Sequence, residues 1–203
     1  MTIRAAVFDL DGVVRHADTE SQRQTEARHG IASDAIRCAA FDSDLLHSAL
    51  SGEIGRVEWA EKVGAVVGSP AAAHEWLFAN ALVDADAVAL VADVRAAGIT
   101  VAVMTNGVDT LDAELDRDGL SSTFHHVFNS ASTGLLKPDP GAFLHVCSQL
   151  GLEPEKVFFT DDSPKNVVGA RTAGLKAFDF HDVVTTRREL EGLGALQPQT
   201  GSA

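Results

Sequence analysis

The sequence is poor in cysteine and in basic residues, and both shortages exclude classes of protein. Its 203 residues contain two cysteines, Cys38 and Cys147, far apart and in no paired spacing. This spacing supports neither a disulfide framework nor a cysteine metal site. Sixteen basic residues against 29 acidic ones give a net charge of −13 at pH 7. A chain this acidic is repelled by a phosphate backbone, so we expect no nucleic-acid partner.

Long hydrophobic runs are also missing. No apolar stretch approaches the ~20 residues that a membrane span needs, and too few apolar residues precede Asp9 for a signal peptide. We therefore expect no membrane association and a cytoplasmic location. The sequence contains neither Gly-x-x-x-x-Gly-Lys-Ser/Thr nor Gly-x-Gly-x-x-Gly. Their absence argues against the usual nucleotide-binding loops.

Alternating strand and helix patterns occupy most of the chain. Apolar runs that end in polar turns predict strands at residues 3–8, 99–104, 127–128, 157–160 and 176–178. Amphipathic stretches with helix start and stop signals predict helices at residues 86–97, 111–118, 139–150, 164–173 and from 183 onward. This alternation predicts an α/β fold, a Rossmann-like three-layer core with a central parallel sheet.

The segment from residue 15 to residue 83 has a different pattern, with helices predicted at 20–29, 42–50, 57–67 and 71–80 and no strand. We predict a core of residues 1–14 and 84–196, an all-helical subdomain at 15–83 and a flexible tail at 197–203. Helical spacing predicts that Trp59 and Trp76 belong to the apolar core of the subdomain. For Arg15 and His16 two positions stay open, the entrance to the site and the surface of the hinge, and the hinge surface is the preferred prediction.

Polar residues follow or face the predicted strand ends. They are Asp9, Asp11 and Gly12; Thr105, Asn106 and Gly107; Lys137; and Asp161, Asp162 and Ser163. Each fragment alone also suits an ordinary turn or helix start. Because the carboxyl ends of parallel strands meet at one edge of a sheet, we expect these residues to converge there.

Taken together, these fragments resemble the four motifs of the haloacid dehalogenase superfamily. The matching segments are residues 7–14, 103–107, 137–139 and 159–163, with Asn166 a little further on. The helical segment after the first motif resembles the small cap of that superfamily, and the resemblance covers about residues 3–180. It implies phosphoryl transfer through an aspartyl-phosphate.

The resemblance also implies a role for each residue. Asp9 is the expected nucleophile, Asp11 the general acid and base, and Thr105 with Lys137 the clamp on the phosphate. Further expected phosphate contacts are Gly12, Asn106 and Gly107. The expected cofactor is Mg²⁺, with Asp9, the carbonyl of Asp11, Asp161 and Asp162 as ligands and with Ser163 and Asn166 supporting them.

The expected activity is a Mg²⁺-dependent phosphatase for a small phosphorylated metabolite, such as a sugar phosphate. A sugar phosphomutase shares all four motifs and stays an alternative. A 2-haloacid dehalogenase is a second alternative, although its reaction needs no acid at position 11. A third alternative is a non-catalytic member that binds a phosphorylated ligand or a protein.

Overall fold

The computed structural model describes residues 2–198, so residues 199–203 of the expected tail lie outside the described part. The chain begins with the buried strand β1 (Ala5–Phe8) and then enters residues 15–83, here called the helical insert. The elements of the insert are β2 (Arg15–Ala17), α1 (Thr19–Arg28), α2 (Ala35–Ala40), α3 (Ser43–Leu50), α4 (Arg56–Val67), α5 (Pro70–Leu77) and β3 (Ala81–Val83).

Two features of the helical insert differ from the sequence prediction. Strands β2 and β3 pair antiparallel, with Arg15 opposite Val83, where no strand was predicted. Helix α2 was also missed. Each of these elements has six residues or fewer, which is too short for periodicity to reveal. The chain therefore enters and leaves the insert along one two-stranded ribbon.

The helical insert has an apolar core of its own. Trp59 and Trp76 are both buried in it, as predicted, together with Ile36 and Val63. Helices α4 and α5 pack closely at Gly64, where a Cβ atom would lie 2.6 Å from the Cα of Pro70. Only a residue without a side chain allows this approach.

The rest of the chain alternates between helices and strands, as the sequence predicts. Its elements are α6 (Ala85–Ala96), β4 (Thr100–Thr105), α7 (Leu111–Arg117), β5 (His126–Asn129), α8 (Ser130–Thr133), α9 (Pro140–Leu150), a 3-10 turn (Pro154–Lys156), β6 (Val157–Asp161), α10 (Pro164–Thr172), β7 (Lys176–Asp179) and α11 (Val183–Gly192).

Five of the strands form a parallel sheet in the order β5-β4-β1-β6-β7. Successive residues of a strand point to opposite faces, so Phe8 and Phe158 pack on one side while Val7 and Phe159 pack on the other. Helices cover both faces, which confirms the three-layer α/β core. Within residues 2–198, no helix combines the length and apolar character needed to cross a membrane.

Candidate active site

The sheet brings three of the motif segments together. Strand β1 lies between β4 and β6, with Phe8 opposite both Val103 and Thr160. The amide of Asp9 donates a hydrogen bond to the carbonyl of Thr160 at 2.9 Å. Asp9, Asp161 and the buried Thr105 therefore all lie at the carboxyl edge of the sheet.

Lys137 lies at the centre of this edge. Its Nζ is 2.7 Å from Asp9 Oδ1 and 2.6 Å from Asp161 Oδ2, and it donates to the carbonyl of Met104 at 3.0 Å. Asn106 holds the lysine in place, because its side-chain amide accepts from the backbone N–H of Lys137 and donates to the lysine carbonyl. The Asn106 side chain thus supports Lys137 directly.

Burial and neighbouring charges shift the pKa values of both partners. Burial raises the pKa of Asp9 to about 7, and the charge of Asp161 adds to this, although the ion pair with Lys137 acts in the opposite direction. Burial disfavours the charged form of Lys137, but the two carboxylates outweigh it and raise the pKa of the ammonium group. Lys137 is charged at neutral pH, and its single charge does not fully compensate the two acids.

Asp161 is fixed by the start of helix α10. Its Oδ1 accepts hydrogen bonds from the backbone N–H of Ser163 and from the side-chain amide of Asn166, both at 2.9 Å. The amide of Asn166 also lies 3.0 Å from Oδ2. Ser163 and Asn166 therefore orient the carboxylate that contacts Lys137.

Asp9, Asp161 and Asp162 each offer one oxygen, and these three oxygens lie within 4.8 Å of one another. Asp162 is exposed. Its partial burial and the charge of Asp161 both raise its pKa. Carboxylate oxygens are the donors that Mg²⁺ prefers, so this set fits a magnesium ion. We call Asp9, Lys137, Asp161 and Asp162 the strand-end cluster.

Two glycines permit the close packing around this cluster. Gly12 has a φ of +96°, and a Cβ there would lie 2.2 Å from Asp162 Oδ2. At Gly107 a Cβ would lie 2.9 Å from Asn129 Oδ1. A side chain at either position would displace a neighbouring side chain, and at position 12 the positive φ also favours glycine.

The side chain of Asp11 pairs with Arg15 and is not part of the three-carboxylate set. Its Oδ1 accepts from Nε of Arg15 at 2.7 Å, and Arg15 also reaches Glu114 Oε2 and Asp118 Oδ2, each at 2.9 Å. The prediction of a surface position for Arg15 is wrong, because this residue is only 5% exposed. The side chain of His16 is partly exposed.

Arg56, at the start of α4, completes this second group of charges. It pairs with Glu114 Oε1 and lies 3.1 Å from Thr110 Oγ1, so it connects the helical insert to the core. Burial would raise the pKa of Glu114, but Arg56, Thr110 and Arg15 together lower it. We call Asp11, Arg15, Arg56, Glu114 and Asp118 the boundary network, which sequence reasoning missed apart from Asp11.

A cavity of about 480 Å³ separates the helical insert from the carboxyl edge of the sheet. Its core end is lined by Asp11, Gly12, Asn106, Gly107 and Asp162, and its other walls come mainly from the insert. This volume lies within the usual range for a small-molecule site. Asp162, a member of the strand-end cluster, therefore lies at one end of a space large enough for a metabolite.

The family profile of haloacid dehalogenase-like hydrolases matches residues 3–174, most of the chain. The chain belongs to the haloacid dehalogenase-like hydrolases. Both the fold and the order of the motif segments in this hydrolase agree with the resemblance seen in the sequence.

Curated relatives of this hydrolase include two named phosphatases. It is 39% identical over 94 residues to a phosphoserine phosphatase from Thermus thermophilus, a match that covers 45% of this chain and 38% of that protein. It is 27% identical over 194 residues to a glyceraldehyde 3-phosphate phosphatase from Methanopyrus kandleri, covering 85% of this chain and 82% of that protein. The chain thus spans well under half the length of the first relative.

A solved structure shares the fold of this hydrolase. It is a HAD family enzyme from Bacteroides thetaiotaomicron in complex with magnesium and inorganic phosphate, with a TM-score of 0.74 and 20% identity. The match covers 88% of this chain and 94% of that one. At this identity the likeness concerns the fold.

Proposed function

We propose that this chain is a Mg²⁺-dependent phosphatase that hydrolyses a phosphate monoester of a small metabolite through an aspartyl-phosphate. The observation that carries the proposal is the strand-end cluster, in which one ammonium group contacts two carboxylates and a third carboxylate lies beside them. The names of the two phosphatase relatives support it. Thr105 and the glycine loops complete the proposed phosphate site.

In the first step a carboxylate oxygen of Asp9 attacks phosphorus, and the bond from phosphorus to the ester oxygen breaks. Asp11 donates a proton to the departing alcohol. In the second step Asp11 takes a proton from a water molecule that attacks the same phosphorus, which releases inorganic phosphate and regenerates Asp9. The half-exposed side chain of Asp11 lines the cavity, where a leaving group would lie.

Attack by one anion on another requires positive charge between them. Lys137 supplies one charge, and its contacts with Asp9 and Asp161 keep it beside the nucleophile. Asp9, Asp161 and Asp162 would hold Mg²⁺, with the carbonyl of Asp11 as the further ligand that we propose. When bound, the ion offsets the repulsion between the carboxylate and the phosphate.

We assign the helical insert the role of a cap. It forms the wall of the cavity opposite the strand ends, so it would exclude bulk water from the phosphate and contact the alcohol part of the substrate. In this assignment the core carries the chemistry and the insert selects the substrate.

Release of phosphate from p-nitrophenyl phosphate tests the proposal. We expect hydrolysis by the wild type in the presence of Mg²⁺, loss of it in chelator, and a fall of roughly 10³-fold or more in Asp9→Asn. Asp112→Asn, an exposed acid on α7, is the matched control and should keep the wild-type rate. Equal, metal-independent rates for the wild type and Asp9→Asn would show that the nucleophile assignment is wrong.

Product analysis separates the other candidate activities. An isomerised ester without free phosphate would identify a phosphomutase. Halide released from a 2-haloacid without Mg²⁺ would identify a dehalogenase. A binding protein would retain the phosphorylated ligand unchanged.

A further inference from the structure

The walls of the cavity differ from its core end. Away from the strand ends, the side chains are mostly apolar, and several of them have accessible surface. They are Phe41, Leu46 and Leu50, with Trp59, Trp76, Leu77, Val108 and Leu111 behind them. Phe41 is 56% exposed, so much of its surface is accessible to a ligand.

Most of the charged side chains that line the cavity away from the strand ends have an ion-pair partner. Arg15 contacts Asp11 and Glu114, and Arg56 contacts Glu114 and the carbonyl of Leu77. Arg117 pairs with Asp118 at 3.0 Å. A second anionic group on a substrate would have to compete with these carboxylates for the buried Arg15 and Arg56.

The remaining polar side chains on the cavity wall are few. Asp18 accepts the backbone N–H of Ser21 at the start of α1, and His16 lies 3.5 Å from Asp84. Among the described lining residues, the amide groups of Gln22 and Asn80 are open to a ligand, and Asp18 and Arg117 each use only part of their hydrogen-bonding capacity. These few groups are outnumbered by the apolar side chains of the wall, and a sugar hydroxyl that lies against an apolar side chain loses its hydrogen bonds to water, which weakens binding.

We propose that the alcohol part of the substrate is an apolar alkyl or aryl group rather than a sugar. This inference rests on the proposed phosphatase function and names the class of ester that its site takes. The phosphate binds at the strand ends, while the apolar group lies against Phe41, Leu46 and Leu50 and removes their surface from water.

The sharpest test compares cyclohexylmethyl phosphate with glucose 6-phosphate. Both are esters of a primary alcohol on a six-membered ring, so the leaving groups are closely matched and the main difference is the ring hydroxyls. We expect kcat/KM for cyclohexylmethyl phosphate to be about tenfold higher or more, because the apolar ring loses little on leaving water.

Two exposed apolar residues of the helical insert provide a matched pair of variants. Phe41→Ser should reduce the preference for the apolar ester about threefold or more, since Phe41 lines the cavity. Val66→Ser should leave it unchanged, because Val66 is 72% exposed and lies outside the cavity lining. Neither side chain is buried, so both variants should fold.

The failure of this inference differs from the failure of the proposed function. If p-nitrophenyl phosphate is hydrolysed but glucose 6-phosphate matches or exceeds the apolar ester, or neither ester is a substrate, the inference is overturned. If p-nitrophenyl phosphate itself is not hydrolysed, the proposed function is wrong, and the preference between the two esters is then measured by their binding.

Trp59 and Trp76 are the two tryptophans of the sequence, and both line the cavity, so their fluorescence reports binding. We expect it to respond at lower concentrations of the apolar ester than of glucose 6-phosphate. An equal or stronger response to glucose 6-phosphate overturns the inference.

Discussion

The strand-end cluster and the boundary network both bury charges beside the same cavity, yet they balance those charges differently. In the cluster a single ammonium group faces three carboxylates, and burial raises the pKa of Asp9 to about 7. In the network Glu114 contacts two arginines, and its pKa is lowered despite burial. Every carboxylate of the network contacts an arginine, which suits the network to hold the helical insert. The cluster has one ammonium group for three carboxylates and retains more negative charge, which a cation would neutralise.

The largest expected effect concerns Lys137, the ammonium group of the strand-end cluster. Lys137→Met would leave Asp9 and Asp161 facing each other without their shared partner, so we expect phosphatase activity to fall roughly 10³-fold. Lys176→Met, at an exposed position in β7, is the control. Circular dichroism at the assay temperature checks that the variant is folded, and a folded variant with normal activity would refute the role given to Lys137.

The second prediction concerns the boundary network. Glu114→Gln would remove the charge that Arg15 and Arg56 share, and the free energy of unfolding should fall by about 3 kcal/mol. Glu75→Gln removes an exposed partner of Arg28 instead, and the free energy of unfolding should fall much less. Urea unfolding measures the free energy of unfolding of both variants. An equal decrease in the two variants would contradict the contrast between buried and exposed ion pairs.

The third prediction tests whether Mg²⁺ binding depends on the orientation of the Asp161 carboxylate. Asn166→Ala removes the amide that donates to this carboxylate, so we expect the apparent affinity for Mg²⁺ to fall roughly 10-fold to 100-fold. The measurement is the Mg²⁺ dependence of phosphate release, with Lys165→Ala on the same helix as the control. An unchanged Mg²⁺ dependence would show that Asp161 needs no such support or does not bind the ion.

The smallest expected effect is on the pH dependence of stability in chelator, where the two regions act in opposite directions. The folded pKa of Asp9 is raised from 3.8 to about 7, so ionisation of Asp9 reduces stability as the pH rises across that window. Glu114, with a folded pKa below 4.5, contributes stability above that pH and loses it as the pH falls.

Urea unfolding at several pH values separates these two contributions. From pH 3.8 to about 7, the stability of Asp9→Asn should improve relative to the wild type, because asparagine does not titrate. Glu114→Gln should show its deficit most clearly above pH 4.5. Parallel curves for Asp9→Asn and the wild type would show that Asp9 does not have a raised pKa in the folded protein.

The same contrast explains which parts of the site could be predicted from the sequence. Asp9, Thr105 and Asp161 lie at the ends of neighbouring parallel strands, so their convergence follows from the alternation of strands and helices alone. The contacts of Arg15 with Glu114 and of Arg56 with Glu114 join residues 99 and 58 positions apart. They depend on how the helical insert packs on α7, and no local pattern encodes that packing.

Local patterns also limited the prediction of the fold. The alternating segments of the core were long enough for periodicity to identify them, and the tryptophans of the insert followed helical spacing. The three-residue strands β2 and β3 have no such pattern, because each is stabilised by pairing with the other across the insert. Recognising them requires knowledge of which distant segments are neighbours.

The ribbon formed by β2 and β3 also bears on how such a hydrolase could be rebuilt. Ala17 and Ala81 face each other across the ribbon, so a tight turn could join them directly and close the core without moving any strand of the parallel sheet. Everything between these two alanines is topologically a single side loop. Under the proposed function the core would break the ester bond and the insert would recognise the substrate, so a different recognition unit could be grafted at the same junction.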